Sequence, residues 1–441
     1  MAAAPTTSAA PPREPTGPGG AGAPGAPPSE SRGIARLRSL GAALGQQPHL
    51  QAVRDGVVGA LPLILLGSGF LLLAQPPWPG LARYLPPVEA LKAAWRGCAG
   101  LVSLYACAAC ALSLARRRET DLAAAVTTSL AVLLLAQHPQ PLAAGGLGLP
   151  LAGLGAAGLF PAFAAALLSV EVLAFFQRRQ WGIRLSGGAP EVVVRSFAAL
   201  LPSATCALLV WAVVHLAGVD LAGGIGRLFA PLVSASDALP ALWAVVLIDS
   251  CLWMIGIHGL SVLAAVRPLW LAALAENMQA AVSGGAPTHL ATQEFFVWFV
   301  WLGGSGATLA LAILLLFARS KQLRLVGRAG FVPALFNINE PLLFGTPVVL
   351  NGKLALPFIL GPVLMTATTW AAMRLGFVNL PIAEVVWTLP APVGAFLATG
   401  GDARAVALQL GNLALALALW WPFVRRYDRA LALAEAAAGV G

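Results

Sequence analysis

The stretch FNINEPLLFGTPVVLN, residues 336–351, most strongly restricts what this chain can fold into. It places three amides, a carboxylate and two prolines inside a strongly apolar neighbourhood. Pro341 and Pro347 remove backbone donors and clash with the preceding turn, so a continuous spanning helix is not expected here. Irregular backbone at membrane depth persists only where protein buries it or where it lines a wet cavity. Because a carboxylate at that depth is costly, Glu340 is a candidate functional residue.

A second interpretation of this stretch stays open at the level of sequence. In it, residues 336–351 form a loop at the membrane interface, Asn337 and Asn339 cap helix ends, and Glu340 faces solvent.

The composition predicts an all-α polytopic membrane protein. Hydrophobic residues make up 58% of the chain and charged residues 10%, with a mean hydropathy of +0.80, which leaves no soluble catalytic domain. The net charge of +9 lies in small clusters beside apolar segments, as membrane orientation requires, and does not indicate nucleic-acid binding. Cys107 and Cys110 form a C-x-x-C pair among alanines, which favours small packing residues over a redox or metal site.

Apolar runs and arginine clusters divide the chain into five parts. We expect a disordered tail at 1–32, an N-terminal transmembrane half at 33–220, an amphipathic connector at 221–238, a second transmembrane half at 239–430, and a C-terminal tail at 431–441. Residues 34–48 are predicted to lie on the membrane surface as an amphipathic helix.

Ten crossings are predicted, with both termini on the cytoplasmic side because of the positive-inside rule. The predicted spans lie at about 56–74, 97–115, 121–136, 156–176, 195–216, 239–257, 259–285, 294–317, 353–373 and 403–424. The span within 259–285 is expected to be short or broken, because it contains Pro268 and two charges. Re-entrant elements are expected at 332–351 and 380–400. Gly303, Gly304 and Gly306 are expected to allow close helix approach inside the span at 294–317.

Several motifs resemble those of one known family. FNINEP followed by FGxPxVxN closely resembles the signature of the membrane permease subunit, enzyme IIC, of the bacterial sugar phosphotransferase system, lactose/cellobiose (diacetylchitobiose) class. Further matches follow in the same order along nearly the whole chain after residue 33: HLQAVRDG at 49–56, WMIGIHG at 253–259, FVWLGGSGATL at 299–309, and WTLPAPVGAFLATGGDARAVALQL at 387–410.

The residues themselves suit a sugar. A sugar needs directional hydrogen bonds and an apolar face, which carboxylates, amides, histidine and indole rings supply, and broken helices expose the backbone groups that transporters use. The expected substrate-binding residues are Trp253, His258, Thr292, Asn337, Asn339, Glu340 and Trp387. Any single tryptophan is almost as well explained as an interface anchor.

The resemblance implies a division of labour between proteins. His258 and Glu340 are expected to flank the hydroxyl that becomes phosphorylated, with Glu340 as the base that polarises it. The phosphoryl donor is expected to be a cysteine of a separate enzyme IIB, loaded by enzyme IIA. The resemblance further implies a homodimer in the bacterial inner membrane, with the dimer interface in the N-terminal half, that moves a β-linked disaccharide. No metal ion or cofactor is expected.

Two other functions stay open. The chain is alternatively a facilitator or membrane sugar sensor uncoupled from phosphotransfer, or an ion-coupled transporter for which Asp249 is the only loose support. Gly352 stands where the family usually has proline, and Leu389 stands where it has a second threonine. His49, His138, His215 and His289 are expected to be structural or interfacial.

Overall fold

The computed structural model describes residues 46–76, 79–137, 140–141, 146–183, 191–346, 348–349 and 351–438. Several predicted features lie outside the described residues: the tail at 1–32, nearly all of the surface helix at 34–48, Pro347 and His138. The described chain is helical, as predicted, with one small antiparallel ribbon of β1 (Gln140–Pro141) and β2 (Leu147–Gly148).

The first half of the described chain is built from long apolar helices. These are α1 (Pro48–Ala74), α2 (Val88–Gly97), α3 (Val102–Arg118), α4 (Leu122–Leu135), α5 (Leu159–Arg178) and α6 (Glu191–Trp211), the last continued by a π-helical turn over Ala212–Leu216. Short 3₁₀ segments lie between them at Pro79–Tyr84, Ala99–Leu101, Leu151–Leu154 and Ala156–Gly158.

The second half alternates short and long helices, because prolines and glycines interrupt its apolar runs. Its helices are α7 (Leu221–Ser236), α8 (Leu239–Met254), α9 (Gly259–Leu263), α10 (Arg267–Ser283), α11 (Gln293–Phe299), α12 (Thr308–Leu316), α13 (Lys321–Leu335), α14 (Glu340–Gly345), α15 (Gly352–Arg374), α16 (Ala391–Ala398) and α17 (Ala403–Ala437).

Small residues bring α1 and α3 close together. A Cβ atom placed on Gly59 would lie 2.5 Å from the Cβ of Ala109, and one on Gly56 would lie 2.9 Å from the Cβ of Cys110. Cys107 and Cys110 are free and fully buried at this contact. Helices in a bilayer associate through this kind of close packing, so the two cysteines act as small packing residues.

The apolar side chains form two cores. The first core consists mainly of side chains from α1 to α6, and the second of side chains from α8 and from α11 to α17. Helix α10 follows the predicted connector in sequence, yet its residues Leu271, Leu274 and Met278 belong to the first core. The boundary between the two cores therefore does not coincide with the position of the connector in the sequence.

The predicted span at 294–317 is not continuous, which corrects the expectation of a single helix. Helix α11 ends at Phe299, α12 begins at Thr308, and Gly303, Gly304 and Gly306 between them all have positive φ. A Cβ atom on Gly306 would lie 2.1 Å from the ring of Phe358. These glycines permit both the left-handed turns and the close approach, so close packing was predicted correctly but its place inside a helix was not.

Six helical stretches of the described chain are long and apolar enough to cross a membrane, or seven if α7 and α8, which meet at 78°, count as one span. The stretches begin at Pro48, Val88, Ala156, Val193, Gly352 and Ala403. The remaining predicted crossings fall on shorter or broken helices. The total of ten therefore stays a prediction.

Two further stretches are helical. The basic stretch after α12 forms α13, whose N-cap Ser320 accepts a hydrogen bond from the backbone N–H of Leu323. The last helix, α17, continues to Ala437 and so includes most of the predicted C-terminal tail. Asp428, near its end, accepts hydrogen bonds from the backbone N–H groups of Arg319 and Ser320, which anchors the start of α13.

His289 has a polar environment that its sequence neighbourhood did not reveal. Its Nδ1 lies 2.8 Å from Asp237 Oδ2 and its Nε2 lies 2.8 Å from Glu276 Oε2. Asp237 also accepts hydrogen bonds from the backbone N–H groups of Leu290 and Ala291, both at 2.7 Å. This group, the His289 clasp, ties the α7–α8 bend to α10 and to the connection that leads into α11.

Candidate functional site

A cavity of about 640 Å³ lies where the broken helices meet. Its wall includes α1, the turn after α8, the starts of α10 and α11, the glycine break after α11, the turn before α14, and the extended segment before α16. Six of the seven predicted substrate-binding residues line it: Trp253, His258, Asn337, Asn339, Glu340 and Trp387.

Asn337 and Asn339 hold the cavity wall together. Asn337 has a φ of 61°. Its Oδ1 accepts from the backbone N–H of Gly303 at 3.0 Å, and its Nδ2 donates to the carbonyl of Trp387 at 2.7 Å. Asn339 Nδ2 donates to the carbonyl of Ser305 at 3.1 Å. The amides therefore join three separated stretches, and neither side chain caps α14.

Glu340 is the first residue of α14, followed directly by Pro341. Proline is tolerated there because the first N–H groups of a helix have no partner inside it. The Glu340 side chain is exposed and lines the cavity, so its carboxylate is open to a ligand. The alternative interpretation, a loop at the membrane interface, also predicts an exposed carboxylate. It does not explain why the side-chain amides of Asn337 and Asn339 bond to backbone groups distant in sequence.

His258 lies in a turn made possible by glycine. Helix α8 ends at Met254, and Gly256 has a φ of 77°, a value that favours glycine. The His258 ring is exposed, and its centroid lies 4.6 Å from that of the buried Trp253 at an interplanar angle of 49°. This contact orients the imidazole towards the space that Glu340 also faces.

Trp387 offers a broad apolar surface to the cavity, since 49% of the residue is exposed. It lies on an extended segment, 379–390, that neighbouring elements hold by hydrogen bonds. Asn277 Nδ2 donates to the carbonyl of Pro381 at 2.9 Å, and the backbone N–H of Glu384 donates to Ser68 Oγ at 2.8 Å. The segment therefore has a defined position without being helical.

Thr292 is the one predicted contact that the structure does not place in the cavity wall. It is fully buried, and its hydroxyl caps α11 by accepting from the backbone N–H of Phe295 at 3.2 Å. The neighbouring Gln293 lines the cavity instead. Asp249 is also fully buried and outside the wall, where a Cβ on Gly259 would lie 1.9 Å from its Oδ1.

Sequence reasoning missed several residues of the wall, including two cations. Arg54 was used only to orient the chain, although it belongs to the HLQAVRDG motif, and Arg267 was noted only as a charge in a broken span. The indole nitrogens of Trp253 and Trp301 are buried and have no hydrogen-bond partner within the described residues. The missed wall residues are Arg54, Arg267, Trp270, Gln293, Trp301 and Ser305.

The cavity contains the kinds of group that a neutral polyol requires. Indole faces pack on sugar C–H surfaces, while amide, imidazole and carboxylate groups exchange hydrogen bonds with hydroxyls. Two guanidinium groups, those of Arg54 and Arg267, also line the cavity, and Arg54 is paired with Asp55. Among the described residues, no group of three or more His, Cys, Asp or Glu side chains has the arrangement of a metal site.

Known proteins resemble this chain over most of its length. The family model described as "Phosphotransferase system, EIIC" matches residues 54–362. The chain belongs to this EIIC family. EIIC chains are membrane components of the sugar phosphotransferase system, in agreement with the predicted class and with the apolar helices described above.

Individual EIIC relatives match over nearly the full chain. The putative permease IIC component YwbA of Bacillus subtilis is 34% identical, covering 89% of this chain and 94% of its own. The cellobiose-specific EIIC component of Geobacillus stearothermophilus is 33% identical, covering 91% and 95%. The crystal structure of the transporter ChbC, the IIC component of the N,N'-diacetylchitobiose-specific system, matches with a TM-score of 0.85 and 32% identity over 92% of this chain and 99% of that one.

Proposed function

We propose that this EIIC chain binds a β-linked disaccharide such as cellobiose, diacetylchitobiose or lactose in the cavity and carries it inward. The observation that carries the proposal is the shared cavity: His258 and Glu340, distant in sequence, line it together with the indole surface of Trp387. The names of the relatives support the substrate class, since they include cellobiose-specific, lichenan and lactose-specific components.

In this proposal the chain positions the acceptor hydroxyl. The hydroxyl oxygen attacks the phosphorus of a phosphocysteine, the P–S bond breaks, and Glu340 accepts the hydroxyl proton while His258 hydrogen-bonds the same oxygen. The phosphocysteine belongs to an enzyme IIB, which enzyme IIA reloads.

The proposal also includes the membrane, the orientation and the oligomeric state of the protein. We propose that the chain lies in the bacterial inner membrane with both termini cytoplasmic. Arginines stand at the ends of α3 and α5 and after the apolar portion of α17, and the positive-inside rule puts such residues on the cytoplasmic side. We further propose a homodimer formed by the N-terminal half, residues 33–220, against which the substrate-binding half, 239–430, shifts during transport.

Uptake into vesicles tests the proposal. Vesicles containing the protein receive a panel of radiolabelled disaccharides, with and without phosphorylated IIB, and free and phosphorylated sugar inside are separated. Phosphosugar that accumulates only with IIB is the expected result and identifies the substrate. Free sugar that equilibrates regardless of IIB would instead make the chain a facilitator or sensor. Uptake driven by an ion gradient and lost in Asp249→Ala would favour the ion-coupled alternative.

A further inference from the structure

Two glutamates outside the predicted site form a buried pair beside the cavity. Glu294 lies in the first turn of α11 and is 1% exposed, while Glu384 lies in the extended segment 379–390 and is 8% exposed. Their carboxyl groups line the same small chamber and interact with each other. The proposed mechanism does not use either of them.

The pair lines a chamber of about 10 Å³, roughly the space of one water molecule. Arg267, Trp270 and Gln293 line both this chamber and the sugar cavity, so a single layer of side chains separates the two spaces. Glu294 Oε2 is buried and has no hydrogen-bond partner within the described residues. A buried carboxylate oxygen without a donor is costly, which calls for a proton on this pair.

The charges around the pair are few. Helix α1 contributes only Val57 and Leu61 to the chamber, α10 contributes Arg267 as its cation, and no other titratable group of the described residues lines it. Two carboxylates in contact in such surroundings cannot both be ionised, because like charges at this distance disfavour each other strongly. One proton between them, balanced by one guanidinium, leaves the chamber neutral.

The contact connects two parts of the cavity wall. Gln293, which immediately precedes Glu294, lines the cavity, and Trp387 lies three residues after Glu384. Ser68 of α1 accepts from the backbone N–H of Glu384, and Asn337 donates to the carbonyl of Trp387. The side chains of Glu294 and Glu384 meet at one chamber, which brings this segment beside α11.

We propose that Glu294 and Glu384 are positioning residues that share one proton, and that their hydrogen bond sets the distance between Trp387 and the Gln293 edge of the sugar cavity. The inference rests on the proposed function, since it concerns affinity for the sugar. A carboxamide can donate the same hydrogen bond without a titrating proton, whereas alanine cannot.

Sugar affinity tests the positioning role. In purified protein, Glu384→Gln and Glu294→Gln are expected to bind the transported disaccharide within about threefold of the wild type, and Glu384→Ala about tenfold or more weakly, because a buried carboxyl group is left without its partner. Glu89→Gln, at an exposed glutamate paired with Lys92, is the control. Equal weakening by Gln and Ala at position 384 would overturn the proposal.

Infrared spectroscopy tests the shared proton without any sugar. The wild type at neutral pH is expected to show the carbonyl band of a protonated carboxylic acid, shifted in D₂O. Asp249 is another buried carboxyl group, so the comparison is made in Asp249→Asn: a band should remain in this variant and disappear when Glu294→Gln and Glu384→Gln are added to it. A band in Asp249→Asn that is unchanged by the two glutamine substitutions overturns the proposal. A band that behaves as expected in a protein that binds no sugar would overturn the proposed function instead.

Discussion

At the scale of single residues, Glu340 and His258 lie on the same cavity but have different surroundings. Glu340 is held by the start of α14 and projects an exposed carboxylate, whereas His258 is oriented by its ring contact with Trp253. Their proposed tasks differ accordingly: the carboxylate removes a proton, and the imidazole binds the oxygen that loses it.

Substitutions at these two residues should therefore separate binding from phosphorylation. Glu340→Gln keeps the shape and hydrogen bonding of the side chain but loses the base, so we expect partial sugar binding and no phosphosugar. His258→Ala should weaken both, with phosphorylation reduced by about 10²-fold or more. Sugar binding and IIB-dependent phosphorylation measured on the same preparations check this. Normal phosphorylation by both variants would mean that the assigned site is wrong.

Asn337 combines an unusual backbone angle with two hydrogen bonds to distant backbone. Asn337→Ala leaves the Gly303 N–H and the Trp387 carbonyl without these partners and places alanine at positive φ. We expect the free energy of unfolding to fall by about 2 kcal/mol or more. Asn337→Gly loses the same hydrogen bonds but not the backbone preference for positive φ. Its free energy of unfolding in denaturant should therefore lie between those of the wild type and the alanine variant. Wild-type stability of Asn337→Ala would contradict this role.

At the scale of elements, the His289 clasp joins the bend between α7 and α8 to α10, and His289 itself lies between two predicted spans. Hydrogen bonds to the carboxylates of Asp237 and Glu276 raise the pKa of His289 to about 9, from an ordinary value of 6.5. Both ring nitrogens donate in this arrangement, so the folded protein favours the imidazolium.

This clasp predicts a pH dependence of stability. Because the pKa of His289 is higher in the folded chain, its contribution is fully present below pH 6.5 and is lost as the pH rises through about 9. The expected loss is on the order of 3 kcal/mol. Unfolding measured from pH 6 to 10 checks it. His289→Gln should be less stable near neutral pH and lack the decline, and parallel curves for the two proteins would contradict the assignment.

At the scale of the whole molecule, the cavity wall draws on residues from Arg54 to Trp387. A ligand in it contacts α1, whose apolar residues belong to the first core, together with segments that pack in the second. Binding should therefore stabilise the molecule as a unit, since a ligand that prefers the folded state stabilises it by mass action.

Thermal unfolding with sugar tests this coupling. At a sugar concentration of 100 times Kd, we expect the free energy of unfolding to rise by about 2.7 kcal/mol. Trp387→Ala should abolish most of this gain at the same concentration, because it removes the stacking surface. Trp421→Ala, at a tryptophan of α17 that is 54% exposed and outside the cavity wall, should keep it. Equal losses in both variants would argue against Trp387 as a sugar contact.

The sequence by itself determined the class of fold and the family, and it predicted six of the residues that line the cavity. Apolar runs identify spanning helices because burying backbone in lipid leaves few other structures, and the polar motif at 336–351 stands out against that background. Six of the seven residues expected at the sugar line one cavity. These inferences depend on local composition and on motif residues, which can be read along the chain.

Only the tertiary structure decided which residues meet. The clasp at His289 and the pairing of Glu294 with Glu384 each join stretches far apart in sequence, so no local pattern reports them. The glycines at 303, 304 and 306 are visible in the sequence, but only the structure shows that they break the helix. Arg54 carries the same charge whether it orients a span or lines a cavity, and Thr292 looks equally polar as a cap or as a ligand contact. Only the packing of the second core against α1 and α10 shows that Arg54 lines the cavity and that Thr292 caps a helix.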